Sequence, residues 1–152
     1  MIHAWLGIDP GASGAVALLN ADGAVIVEDF TDVSAAADLL REWTITHTIM
    51  LAVLELASAR PGQGVRSVFA FGTRFGEWCG LLSGLSVPYQ IVPPQRWQKG
   101  TLLPSDGKDS KERSLTAARR LFPGVDLSRK RDHNRADALG LALFAKRSEG
   151  GL

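Results

Sequence analysis

Apolar positions arrive in short runs over the first third of the chain and at helical spacing over much of the rest. Ala4–Asp9 is a short apolar run that ends on an acid. Gly14–Asn20 is a second run, and Ala24–Phe30 a third in which Val25, Val27 and Phe30 nearly alternate. Ala21-Asp22-Gly23 between them predicts a hairpin turn, with the glycine supplying positive φ. Three sequential antiparallel strands are the economical reading. The period then changes. Ser34–Trp43 predicts a helix with Ser34 as N-cap and Ala35, Leu39, Leu40 and Trp43 on its buried face. Ile49–Leu54 is unbroken apolar sequence ending at Glu55, the pattern of a central strand buried on both faces.

Residues 57–64 (ASARPGQG) predict a loop, and Val65–Gly84 one long helix or two in succession. Gly72, Gly76, Gly80 and Gly84 recur at a spacing of four, on one helix face. Each costs about 1 kcal/mol against alanine in a helix interior. Close backbone approach could offset that, either at a subunit interface or against the helix's own sheet. Val87–Val92 predicts another strand, and Pro93-Pro94 opens a short helix with Arg96, Trp97 and Lys99. A loop at Gly100–Gly107 precedes a basic amphipathic helix at Ser110–Phe122, stopped by Pro123-Gly124. After a loop at Gly124–Arg131, a final helix runs from about His133 to Lys146. The order predicts an α/β fold with a mixed sheet, and 152 residues suit one domain.

Charge changes the picture more than composition does. The net charge of +1 conceals an acidic start and a basic remainder. Arg41 is the sole Lys or Arg among the first 59 residues, whereas basic residues crowd Lys108–Arg120 and Arg129–Arg135. Such a gradient points to a polyanion-facing surface, or to a solvated helix face. The single cysteine, Cys79, excludes an internal disulfide framework and fits a reducing compartment. No charged segment followed by an apolar stretch opens the chain, so no signal peptide is expected. No apolar run approaches the roughly 18 residues of a membrane span. The scattered histidines make a zinc site unexpected.

Three acids stand out by position: Asp9 at the end of the first strand, Glu55 at the end of the buried strand, and Asp137 near the start of the last helix. If the first and fourth strands are neighbours, Asp9 and Glu55 emerge at one sheet edge, and the last helix can lay Asp137 across it. Clustered carboxylates repel, and a divalent cation relieves the repulsion; all-oxygen ligands select Mg²⁺ or Mn²⁺. The small-residue turn Pro10–Gly14 beside Asp9 leaves room for a phosphate backbone. Metal-dependent nuclease action and phosphoryl transfer of the actin or sugar-kinase type both use this layout.

Five blocks together resemble the RuvC family of Holliday-junction resolvases, of ribonuclease H fold. The chain is closer to the compact phage-type members than to the standard bacterial enzyme. The blocks are GIDPGASGAVALL, LAVLELASARPGQGVRSVFAFG, VPPQRWQKG, KDSKERSLTAARRLFPG and DHNRADALGLALFA, about half of the chain. The resemblance implies a ribonuclease H-like five-stranded sheet, three antiparallel strands then parallel ones, flanked by helices. It implies a homodimer, Mg²⁺-dependent with Mn²⁺ as substitute, that cuts four-way and branched DNA in the cytoplasm of a bacterial or phage-infected cell. A non-cleaving DNA-binding relative is the alternative within the family. Asp9, Glu55 and Asp137 match catalytic acids, Lys111 a basic residue near the scissile phosphate, and Lys99 another near the DNA. Many members carry an acid or histidine three residues before the last acid; this chain has Asn134. Asp132 is the first choice to complete the metal set and His133 the second. Arg60 and Gln63 fall where the family meets the junction crossover. Arg96, Lys108, Arg113 and Arg119 extend the basic rim. Phe69 and Phe71 are either base stackers or core, and Trp97 is expected to be packed.

Overall fold

The computed structural model describes residues 1–56 and 58–150. Five strands form one sheet: β1 (Ile2–Asp9), β2 (Ala15–Asn20), β3 (Val25–Asp29), β4 (His47–Glu55) and β5 (Tyr89–Val92), in the order β3-β2-β1-β4-β5. β1, β2 and β3 pair antiparallel; β4 and β5 add on in parallel. The mixed sheet expected from the sequence is therefore present, with β1 at its centre. Gly23 has φ +94°, as the hairpin turn requires.

The helices are α1 (Val33–Thr46), α2 (Val65–Gly84), α3 (Pro94–Gln98), α4 (Ser110–Leu121) and α5 (His133–Gly150). α1 begins earlier than expected. Asp32, not Ser34, is the N-cap, its carboxylate accepting from the Ala35 amide at 2.9 Å. A carboxylate complements the helix dipole better than a hydroxyl. The chain after β4 is irregular from Ser58 to Gly64; Ala57 lies outside the described residues. α5 continues past Lys146, which is anchored instead by its ammonium on the Asn20 and Ala21 carbonyls.

Alternation sorts side chains to the two faces of the sheet. Leu6, Ile8, Val16, Leu18 and Leu54 face α1 and α2, packing on Leu40, Trp43, Trp78 and Leu82. Ala15, Ala17 and Leu19 meet Leu139 and Ala142 of α5, and Leu51 and Val53 meet Leu141. Gly7 sits on this second face, and a Cβ there would lie 2.0 Å from the Ala138 carbonyl oxygen. Its lack of a side chain presses α5 directly onto the central strand.

The four glycines of α2 behave otherwise. Among the described residues, a Cβ on Gly72, Gly76, Gly80 or Gly84 would meet nothing within 4 Å. They are not tight packing against the helix's own sheet; that half of the sequence expectation falls.

Candidate active site

Asp9 and Glu55 share the parity of Gly7 and Val53, so both side chains belong to the α5 face, at the C-terminal ends of two adjacent parallel strands. Asp137 lies on α5 one turn before Leu141, which packs against Val53. Strand register and helix docking thus bring together three acids separated by up to most of the chain.

Each acid is held by one neutral donor. Asp9 is buried, and its Oδ1 accepts from the Gly11 amide at 3.0 Å. Glu55 Oε2 accepts from the Trp97 indole N–H at 2.6 Å. Asp137 Oδ1 accepts from the Ser114 hydroxyl at 2.5 Å. Among the described residues, the second oxygen of each carboxylate has no hydrogen-bond donor.

All three resist ionisation. Burial raises the Asp9 pKa, against the pull of the Gly11 amide and the His133 charge. Burial pushes Glu55 up to about 7; the Trp97 bond opposes this, and the Asp9 charge adds to it. Asp137 is raised well above the usual carboxylate range by burial and then by Asp9, with Glu55 adding; Ser114 and Lys111 work the other way. Among the described residues, no three Asp, Glu, His or Cys side chains are already drawn in as a cation cage. The donor set nonetheless suits a hard divalent cation: three mutually repelling carboxylates, each with an oxygen to offer. Asp9, Glu55 and Asp137 would hold it.

Asp132 does not join them. It is buried, and Arg129 takes its carboxylate: the Arg129 guanidinium donates to Oδ1 at 2.8 Å and the Arg129 amide to Oδ2 at 2.7 Å. The same guanidinium reaches Asp29 on β3, as does Arg135 at 2.7 Å. Asp132 is thus part of a lock between β3 and the start of α5, and in this structure its two oxygens face Arg129 and not the three acids. Nor is it among the charges that shift Asp9, Glu55 or Asp137. His133, the second choice, is the one that acts on Asp9. Asn134 points its amide elsewhere, donating from Nδ2 to the Ser13 carbonyl at 2.6 Å.

The basic residues divide. Lys111 is exposed on α4, one turn before Ser114, and its charge is felt by Asp137. Arg60, Arg96, Lys99 and Lys108 are exposed. Arg113 donates to the Gly107 and Lys108 carbonyls, and Arg119 to the Leu127 carbonyl at 2.7 Å, so both brace loops while carrying charge. Gln63 is engaged within its own loop, accepting from the Arg60 amide and donating to Ser67. Beyond Glu55 lies a cleft of about 530 Å³ lined by Arg60, Gln63, Phe71 and Gln95, among others. Phe71 is half-buried at this cleft and Phe69 is 77% exposed, so neither is a core aromatic.

Sequence reasoning missed two orienting groups. Trp97 is packed as expected, yet its N–H also holds Glu55. A Cβ on Gly140 would lie 2.5 Å from its ring, so that glycine makes the room. The indole donor on an otherwise apolar residue was the available signal, because a buried Trp N–H needs an acceptor. Ser114 was hidden among exposed polar neighbours. The signal there was its place three residues after Lys111, on the side of α4 that carries Ala117 and Ala118.

No protein-family model matches the chain. The chloroplastic Holliday junction resolvase MOC1 of Chlamydomonas reinhardtii is 34% identical over 139 residues, which are 88% of this chain and 15% of that protein. The chain therefore spans a small part of its curated relative's length. Among solved structures, Thermus thermophilus RuvC in complex with a Holliday junction substrate superposes with a TM-score of 0.64 at 16% identity, over 99% of this chain and 96% of that one. A second T. thermophilus RuvC structure gives 0.61 at 19% identity, over 99% and 97%. The fold is that of RuvC, the ribonuclease H-like architecture expected from the sequence.

Proposed function

We propose that this chain, with the RuvC fold and a Holliday junction resolvase as its curated relative, is a divalent-metal-dependent endonuclease. In this reading it resolves four-way and related branched DNA by paired symmetric nicks. One observation carries the reading: three ionisation-resistant carboxylates from β1, β4 and α5 lie at one sheet edge, with the Lys111 charge felt by Asp137. Carboxylates so placed weaken a fold unless a cation is their partner. Residues 1–152 act as one nuclease domain.

The cation is Mg²⁺, with Mn²⁺ able to substitute, held by Asp9, Glu55 and Asp137. When bound, it supplies the charge that activates water and stabilises the leaving oxygen of a phosphodiester. The remaining work falls to the chain. Gly11, Trp97 and Ser114 fix the carboxylates in direction. Lys111 sets a positive charge where the scissile phosphate gains negative charge. Arg60, Gln63, Arg96, Lys99, Lys108, Arg113 and Arg119 form the rim that attracts and positions the DNA backbone. Two like nicks need two centres related by a two-fold axis, so the working unit is a homodimer. The place of action is the cytoplasm of a bacterial cell, phage-infected or not, consistent with the free thiol of Cys79.

The test is incubation with a synthetic four-way junction, with Mg²⁺ and with chelator. Symmetric nicks on two like strands, dependent on the cation, are expected. Tight junction binding with no cutting under Mg²⁺ or Mn²⁺ would instead mark a non-cleaving relative.

A further inference from the structure

The turn that follows Asp9 is gripped by side chains from two helices. Within the turn, the Gly14 N–H donates to the Gly11 carbonyl at 2.9 Å. Asn134 of α5 donates from Nδ2 to the Ser13 carbonyl at 2.6 Å. Arg74 of α2 reaches the neighbouring Ala12 carbonyl at 3.4 Å and lies 3.7 Å over the Phe30 ring. The turn has no slack: a Cβ at Gly14 would lie 2.1 Å from the Asp9 carbonyl oxygen. Asn134 is also one turn of helix from Asp137 on the same element. This hydrogen bond ties the turn after Asp9 to the helix carrying Asp137, beyond the packing of Gly7 of β1 against α5.

We propose that Asn134 is a positioning residue, an amide clamp that sets the approach of Asp9 to Asp137. The inference rests on the nuclease reading above and deepens it. A carboxylate at this position has no hydrogen to give and would face the Ser13 carbonyl oxygen with like polarity. Asparagine therefore does something here that an acid cannot. It also adds no fourth negative charge to a cluster whose members already hinder one another's ionisation.

The experiment compares Asn134→Asp, Asn134→Ala and Asn134→Gln with the wild type in the full chain, by two readouts. The first is amide hydrogen exchange across residues 11–14 in metal-free protein; the second is single-turnover junction cleavage with Mg²⁺ alongside junction affinity. Loss of one hydrogen bond should speed exchange in the turn by roughly tenfold in the Asp and Ala variants, with β1 and β2 amides unchanged. Misplacement of a reacting group by about 1 Å costs on the order of a hundredfold. Cleavage in both variants should therefore fall by about tenfold to a hundredfold while affinity stays within about twofold. Asn134→Gln, which keeps a donor on a longer arm, should recover part of each. Asn134→Asp is not expected to weaken the fold, since an acid in the first turn of a helix is favoured.

Faster cleavage by Asn134→Asp than by wild type would overturn the clamp, showing the position to be an under-equipped ligand site. Unchanged exchange in the turn would overturn it equally, whatever the cleavage rates. If no protein cuts the junction, the nuclease reading fails, and the exchange data still decide whether the clamp exists.

Discussion

At the scale of single residues, the acids are where stability has been exchanged for chemistry. Glu55 has its pKa raised to about 7 from 4.5. Below pH 4.5 the group is neutral in both folded and unfolded chains and exacts no penalty. Between 4.5 and 7 the unfolded chain gives up its proton first, so stability falls as pH rises; above 7 the full penalty persists. In chelator, Glu55→Gln should therefore be more stable than wild type at pH 8, by on the order of 1–3 kcal/mol, with no gain at pH 4.5. Urea melts at the two pH values check this, and an equal difference at both would show that the Glu55 charge is not what the fold resists. Glu55 was legible as a half-buried candidate because an unbroken apolar run that ends on an acid leaves that acid half inside. Asp132 was expected to supply the charge that Asn134 lacks; in the structure Arg129, three residues before it, holds its carboxylate in a short 3₁₀ turn, a pairing that spacing from Asp137 does not reveal.

At the scale of elements, α5 sets the site. It is pressed on β1 through Gly7 and pinned at its start by Asp29 of β3, which pairs with Arg135 and Arg129. The Arg135 hydrogen bond, with Arg129 in support, holds the Asp29 carboxyl down at about 2. For an acid so depressed, the stabilisation is present above its unfolded value near 3.8 and disappears as pH falls through about 2. Asp29→Asn should cost roughly 1 kcal/mol at pH 7 after allowance for solvent screening, and only a small part of that at pH 2. Thermal melts across that window measure it; a cost undiminished at pH 2 would mean the lock is shape and not charge. The strands, the antiparallel run of the first three and most helix limits could be read from apolar periodicity and turn residues, whereas the parallel placement of β4 and β5 came from the family resemblance. This lock could not, because its partners are some 100 residues apart in sequence.

At the scale of the molecule, the open question is the face that carries the α2 glycines. They are spaced as an interface would space them, and among the described residues nothing lies within 4 Å of a Cβ built on any of them. The sequence left two meanings for that stripe, and the structure removes intramolecular packing. Gly76→Leu should then leave the circular dichroism spectrum intact but shift light scattering from dimer to monomer, with paired nicking lost. A dimer that survives the substitution would place the subunit interface elsewhere.

The central claim is that Asp9, Glu55 and Asp137, without Asp132, form the cutting centre. The most direct test is single-turnover nicking of a four-way junction by wild type, Asp9→Asn, Glu55→Gln, Asp137→Asn and Asp132→Asn, with junction affinity measured for each. Loss of a direct ligand should exceed the roughly 10–100-fold typical of supporting contacts, so the first three variants should fall by more than a hundredfold with affinity largely kept. Asp132→Asn should stay within about tenfold of wild type. Near-normal cutting by any of the first three, or abolition by Asp132→Asn with its fold intact, would contradict the account.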